Sequence, residues 1–456
     1  MARPKRRLHL NVQSSYPGHP AGWRTAEGRR LPGEDVAHLQ AVARIAEKAL
    51  FNAVFLAVSP SFTDNGEAPT RSLDPVVLVA GAALATERVG FILTSSTTFN
   101  HPYNVARQLL SLEQLSKGRI AWNIVTTTDE RASRNFGLER MPSNADRYAI
   151  AADFTDAVVK LFDSWEDEAL VGDPSTGVWA DPARIHAINH AGPHFSVAGP
   201  MQVPRSPQGR PMLVQAGSSP PGRDFAARYA DAIFTVQTVK QEAIAYYSDV
   251  KARIRRHGRN PDDVAILPGL SIVMGGTESE AHARLAELDG IMSPRSTLET
   301  FAHSLRIDPK DLDYDKPFPE HLFHKVEEAD WLRRSTGHNE ARLRLLRQRN
   351  LTLRQIIAQG SGGHYRLVGT PEQIADFMED WADSGAADGF NLFMDVYPAG
   401  LAAFAEHVVP ILQRRGLHRT AYEGHTLRDH YGLERPANAL LAGAMLTRHP
   451  AAGAAD

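Results

Sequence analysis

The sequence has no cysteine in 456 residues. That absence excludes disulfides, thiolate metal sites and cysteine nucleophiles together, so any redox chemistry must be carried by a bound cofactor. Long hydrophobic runs are missing too: the most apolar stretch, "DPVVLVAGAALA" over 74–85, has 12 residues, too few to cross a bilayer. The basic opening "MARPKRRLHL" leads into no apolar segment of signal-peptide length, which predicts a cytoplasmic protein. Neither sign of charge is in excess. Lys and Arg number 50 against 53 Asp and Glu, a net charge of −3, which argues against nucleic acid or an anionic membrane as partner and for a small or neutral one.

What is present is ordinary globular material, 43% hydrophobic and 23% charged, enough for a large core. Eight apolar runs, at 8–13, 53–59, 90–97, 119–127, 212–217, 232–237, 265–275 and 391–396, alternate with helical patterns such as 34–49, 74–89, 102–118 and 238–258. Near-continuous apolar runs suit strands buried on both faces of a parallel sheet. Eight of them with intervening helices predict an α/β fold, a (β/α)8 TIM barrel, with an open doubly wound sheet as the alternative. Capping boxes are expected at Thr238 with Gln241, Thr277 with Glu280, and Thr370 with Gln373, and C-terminal caps at Gly118 and Gly258. The whole chain, 1–456, reads as a single barrel domain with insertions at about 166–210 and 291–369 and a C-terminal arm at about 416–456, lying over a neighbour or over its own barrel.

Ligands of such barrels sit at the C-terminal strand ends. Here those ends carry hydroxyls and amides: Thr94 to Thr98 after the third strand, Asn123 and Thr126 to Thr128 on the fourth, Ser218 and Ser219 after the fifth. Each residue alone is equally a turn or cap residue. Three such clusters at three strand ends favour a polar ligand. Carboxylate chemistry lacks a partner for Asp129 and Glu130. A barrel metallohydrolase lacks its His-x-His pair, since only His9 stands in "LHLN". His186, His190 and His194 fall at intervals of four, but Gly192 and Pro193 interrupt any helix that would align them, so no metal site is expected. The "GSGGH" segment at 360–364 follows a helix, not a strand, which argues against a dinucleotide fingerprint. Tyr148 is either a phosphate or proton contact or a core tyrosine.

The segments "TSSTTFNHPYNVARQLLSLEQLSKGRIAWNIVTT", "RNFG", "RYAIAADF", "LFDSWEDEAL", "GPMQVPRSPQGRPMLVQAGSSPPGRDFAARYADAIFT" and "TLRDHYGLERP" resemble the nitrilotriacetate monooxygenase group of the bacterial luciferase-like flavin monooxygenases, from the first strand to about residue 435. The resemblance implies a luciferase-like barrel that binds reduced FMN (FMNH2) delivered by a separate NAD(P)H:flavin reductase, and oxygenates a small organic substrate with O2 through a flavin peroxide. A homodimer or higher homo-oligomer is expected. Carried over by motif, Thr94, Tyr148, Ser218 and Ser219 become flavin or flavin-phosphate contacts, and Asn123 and Thr126 walls near the isoalloxazine. The helix that follows Ser219 would offer its free amides and positive end to the phosphate, and Arg223 would add charge. Two cofactor-site positions depart from the group: Val58 stands where many members have aspartate, and Asn144 where many have histidine. The catalytic residues are not assigned. The departures leave open a catalytically silent flavin-binding barrel, and the shared fold leaves open a deazaflavin-dependent oxidoreductase. Insertion 291–369, with Gly360 to Gly363, is the expected lid.

Overall fold

The computed structural model describes residues 7–14, 18–28, 35–62, 73–327, 343, 346–348, 350–359 and 363–441. Eight parallel strands form a closed barrel: β1 His9–Gln13, β2 Ala53–Leu56, β3 Gly90–Ser96, β4 Ile120–Val125, β5 Met212–Gln215, β6 Ala232–Thr235, β7 Ala265–Met274 and β8 Gly389–Met394. Each pairs with the next in chain order, and β8 returns to β1 with Asn391 opposite Asn11. All eight runs read from the sequence are barrel strands.

Strand alternation divides the side chains between two cores. Ala53, Phe55, Ile92, Ala121, Met212, Val214, Ala232 and Leu267 fill the barrel interior. Leu10, Val12, Val54, Phe91, Leu93 and Trp122 pack outward against the helices. The helix starts follow side-chain chemistry. Thr277 with Glu280, and Thr370 with Gln373, form both bonds of a capping box. The box expected at Thr238 does not form. Val239 is still extended and the helix begins at Lys240, one residue too late for Thr238 to cap it. Lys117 and Gly118 are both left-handed at the end of helix Pro102–Ser116, and Gly258 is left-handed after Lys240–Arg256.

A ninth strand, Tyr365–Gly369, comes from the second insertion and runs parallel along β7 from Leu270 to Met274, which accounts for the length of β7. The same insertion holds helices Pro294–Leu305, Glu320–Glu327 and Leu353–Gln359 around a core of its own that includes Leu305, Phe318, Leu322 and Ile356. Gly360 to Gly362 of the expected lid lie outside the described residues. The first insertion forms two short hairpins, Leu170–Asp173 with Val178–Ala180 and His190–Ala191 with Ser196–Val197.

The described part of the C-terminal arm lies over its own barrel. Helix Leu427–Tyr431 plugs the N-terminal end, where Leu427 and Tyr431 join the interior core. The Tyr431 hydroxyl donates to Asn11 Oδ1 at 3.0 Å, and Asn11 Nδ2 donates to Asn391 Oδ1 at 2.9 Å. One end of the barrel is thereby sealed, and the C-terminal strand ends are left for a ligand. Among the described residues no helix is long and apolar enough to cross a membrane.

Candidate functional site

A cavity of about 220 Å³ opens at the C-terminal ends of β4, β5 and β6. Its wall joins Thr126, Thr127 and Thr128 after β4, Asn144 and Tyr148 on helix Asn144–Phe162, Ser218 and Ser219 after β5, and Phe234 on β6. Five of the eight residues singled out in the sequence therefore share one space. Thr94 and Asn123 lie beneath it, cross-strand neighbours on β3 and β4, with Asn123 Nδ2 donating to Thr94 Oγ1 at 2.8 Å. Val58, half-buried in the loop after β2, is not part of the cavity wall.

The turn after β5 is built for close approach. Ser219 caps helix Pro220–Tyr229, its Oγ accepting from Gly222 N at 3.3 Å. A Cβ at Gly217 would stand 2.5 Å from the Gly222 carbonyl oxygen, and one at Gly222 would stand 2.5 Å from the Tyr148 hydroxyl. Glycine at both positions lets the serine turn close onto the tyrosine. Burial pushes the Tyr148 phenol above its usual range, partly offset by hydrogen bonds with Ser219, Gln215 and Thr126. The phenol is thus a neutral donor at physiological pH.

Two expectations about charge change. The helix after Ser219 begins with Pro220 and Pro221, which have no N–H, and the Gly222 amide is used by the cap, so hydroxyls supply most of the donors. Arg223 turns away: its Nε donates to the Ser218 carbonyl at 2.8 Å and its Nη1 pairs with Asp249 at 3.1 Å. The cation beside the cavity is instead Arg147, buried, with Nη1 donating to the Thr127 carbonyl at 2.8 Å. Nothing in the sequence marked it, because an arginine between Asp146 and Tyr148 reads as a solvated helix residue. Thr127, with φ 31°, is a β-branched residue in the left-handed region, where strain is expected. Arg147 and the Thr127 Oγ1 bond to Ser96 Oγ at 2.7 Å hold it there.

Not every hydroxyl faces the cavity. Thr97 Oγ1 and Thr98 Oγ1 donate to the Val125 and Thr126 carbonyls, lacing the end of β3 to the end of β4. For these the plain structural role suffices. Asn123 Oδ1 and Gln215 Oε1 differ: both are buried and without a hydrogen-bond partner among the described residues, a state expected of atoms that await a ligand or water. The three spaced histidines do not converge. His186 pairs with Glu166 at 2.8 Å, His190 with Asp153 at 2.8 Å, and the His194 amide donates to Asp153. Among the described residues no group of three or more His, Asp or Glu side chains could hold a metal ion.

The profile of the luciferase-like monooxygenase family matches residues 11–388. The chain is 40% identical over 438 residues to nitrilotriacetate monooxygenase component A of Aminobacter aminovorans, covering 92% of this chain and 95% of that protein. It is 36% identical to N-acetyl-S-(2-succino)cysteine monooxygenase of Bacillus subtilis strain 168, over 96% and 99% of the two chains. A riboflavin lyase solved with modified FMN and its substrate riboflavin superposes with a TM-score of 0.81 at 31% identity, over 94% of this chain and 96% of that one. The chain belongs to the luciferase-like monooxygenase family, and it is an enzyme, a monooxygenase.

Proposed function

We propose that the protein is the oxygenating component of a two-component system, using FMNH2 supplied by a separate NAD(P)H:flavin reductase to oxygenate a small organic substrate with O2. The observation that carries this reading is the single cavity joining Thr126, Asn144, Tyr148, Ser218 and Ser219 above the buried, unpartnered Asn123 Oδ1. That donor set fits a flavin: hydroxyls for a phosphate, and uncharged amides for a ring that presents both donors and acceptors. When bound, FMNH2 would supply two electrons to O2, one oxygen atom entering the substrate and the other leaving as water.

The chain's own residues bind, orient and exclude water. Tyr148, Ser218 and Ser219 would donate to the phosphate. Thr94 fixes the Asn123 amide, whose unpartnered Oδ1 would accept from the ring. Trp122, Phe154 and the helices behind β4 keep the wall dry, both side chains being fully buried, which favours oxygenation over loss of H2O2. Val58 and Asn144 leave both departing positions without an ionisable group.

Those same departures favour one second reading, a flavin-binding barrel that no longer activates O2. Titration with photoreduced FMN under anaerobic conditions, followed by admission of O2, separates the two. The proposed oxygenase binds FMNH2 and shows a transient absorbance band before oxidised FMN appears. Tight binding without that transient marks the silent barrel, and failure to bind FMNH2 points to a deazaflavin instead.

A further inference from the structure

We infer that the substrate part of this site takes a neutral, flat, apolar compound and that His364 is a specificity-determining residue for it. The inference rests on the flavin reading above and names the substrate class it left open. His364 is the last residue of the "GSGGH" segment, and the second insertion carries it to the barrel mouth immediately before its strand Tyr365–Gly369. There its ring stacks on Phe393 with centroids 4.5 Å apart and an interplanar angle of 24°, and on Phe234 at 5.2 Å and 27°. Phe55 meets the edge of Phe234 at 5.6 Å. Phe234 lines the cavity that holds Tyr148 and Ser219, so the aromatic layer and the polar turn are walls of adjoining space. Phe234 and Phe393 are only half-buried, and their open faces are what a flat apolar molecule would cover.

The barrel makes room for this imidazole. Gly269 of β7 lies under it, and any Cβ there would overlap the His364 ring. A ring packed against two phenylalanines whose own centroids are 6.3 Å apart, over a bare backbone, has little freedom, which suits a wall that sets shape.

Charge points the same way. A polyanionic substrate would need cations turned toward it; of the described cations at this end, Arg147 and Arg24 are held by the Thr127 and Ile291 carbonyls, and others face acidic groups. Arg284 pairs with Asp395 and with Glu27, the latter at 3.0 Å. Arg306 pairs with Glu130 at 2.6 Å and Arg131 with Asp129 at 2.9 Å. Arg366 lies in the field of Asp289.

The test uses the full-length protein with an NADH-driven flavin reductase, FMN and O2, and reads oxygenated product per NADH. Dibenzothiophene sulfone is the neutral aromatic probe and nitrilotriacetate the polyanionic one, at equal concentration. The expected result is at least about tenfold more product from the sulfone, about 1.4 kcal/mol of discrimination. His364→Ala should raise KM for the sulfone about tenfold with FMNH2 affinity unchanged, and His364→Phe, which keeps a stacked ring, should restore it. Equal or greater turnover of nitrilotriacetate, no turnover of the sulfone, or an unchanged KM in His364→Ala would overturn the inference. FMNH2 binding is measured without either probe, so a failure of the flavin reading shows itself separately.

Discussion

Gly222 packs so closely on Tyr148 that a Cβ at this position would stand 2.5 Å from the phenolic oxygen. The turn that caps one helix and the tyrosine of another are therefore a single unit. Gly222→Ala should weaken FMNH2 binding about tenfold by pushing the two apart. Tyr148→Phe removes the oxygen that the new methyl meets, so the double variant should lose less than the sum of the two singles. Equilibrium fluorescence titration of the four proteins checks this, and strict additivity would mean that the two residues act separately.

Much of this architecture was legible in the sequence, and the reasons differ by element. The eight barrel strands were visible because burial on both faces demands apolar runs. The strand Tyr365–Gly369 was not, since four of its five residues are only half-buried and it adds to the sheet rather than closing it. Thr126, Asn144, Tyr148, Ser218 and Ser219 could be assembled from motifs because each sits at a strand or helix end. The roles of Arg147 and Arg223 could not, because the partner that captures a guanidinium lies on another element: Thr127 for one, Asp249 for the other. His364 appeared only as the end of a glycine-rich loop. Its place at the barrel mouth depends on Gly269, nearly a hundred residues away in the chain.

Asn144 lines the cavity and carries no charge at any working pH. Asn144→His should make FMNH2 binding pH-dependent. A histidine beside a phosphate has its pKa raised by the bound anion, so affinity should increase as pH falls through about 6.5. Dissociation constants at pH 6 and pH 8 should differ more for the variant than for the parent, by about threefold to tenfold. An identical pH profile would separate Asn144 from the phosphate.

Glu113 provides a stability test away from the site. It is fully buried, accepts from Ile120 N at 2.7 Å and from Gln208 Nε2 at 2.9 Å, and also bonds Ser206. Burial outweighs those bonds and pushes its carboxyl up to about 7 from 4.5. Between those values the folded chain holds a proton that the unfolded chain has released. Stability should therefore fall as pH rises from about 4.5 to about 7, by an amount on the order of 3 kcal/mol if no other group compensates. Glu113→Gln should flatten that part of the profile and unfold at higher denaturant than the parent at pH 8. Urea unfolding at several pH values reads both effects.

The plug at the other end of the barrel should act on stability alone. Leu427 is fully buried in the interior core, beside Gly90 of β3. Leu427→Ala should cost about 2–5 kcal/mol by opening a cavity, with FMNH2 affinity within twofold of the parent, because binding residues of such barrels gather at the opposite face. Calorimetry and flavin titration on the same sample test the pair of outcomes.

The central claim is that Ser218, Ser219 and Tyr148 form the seat of a flavin phosphate. The most direct measurement compares dissociation constants for FMNH2 and for reduced riboflavin, which lacks the phosphate, in the parent protein and in Ser219→Asp. The parent should prefer FMNH2 by at least about a hundredfold, some 2.7 kcal/mol, and Ser219→Asp should abolish that preference while leaving riboflavin binding almost unchanged. Equal affinity of the parent for both flavins, or an undiminished preference in Ser219→Asp, would contradict the account.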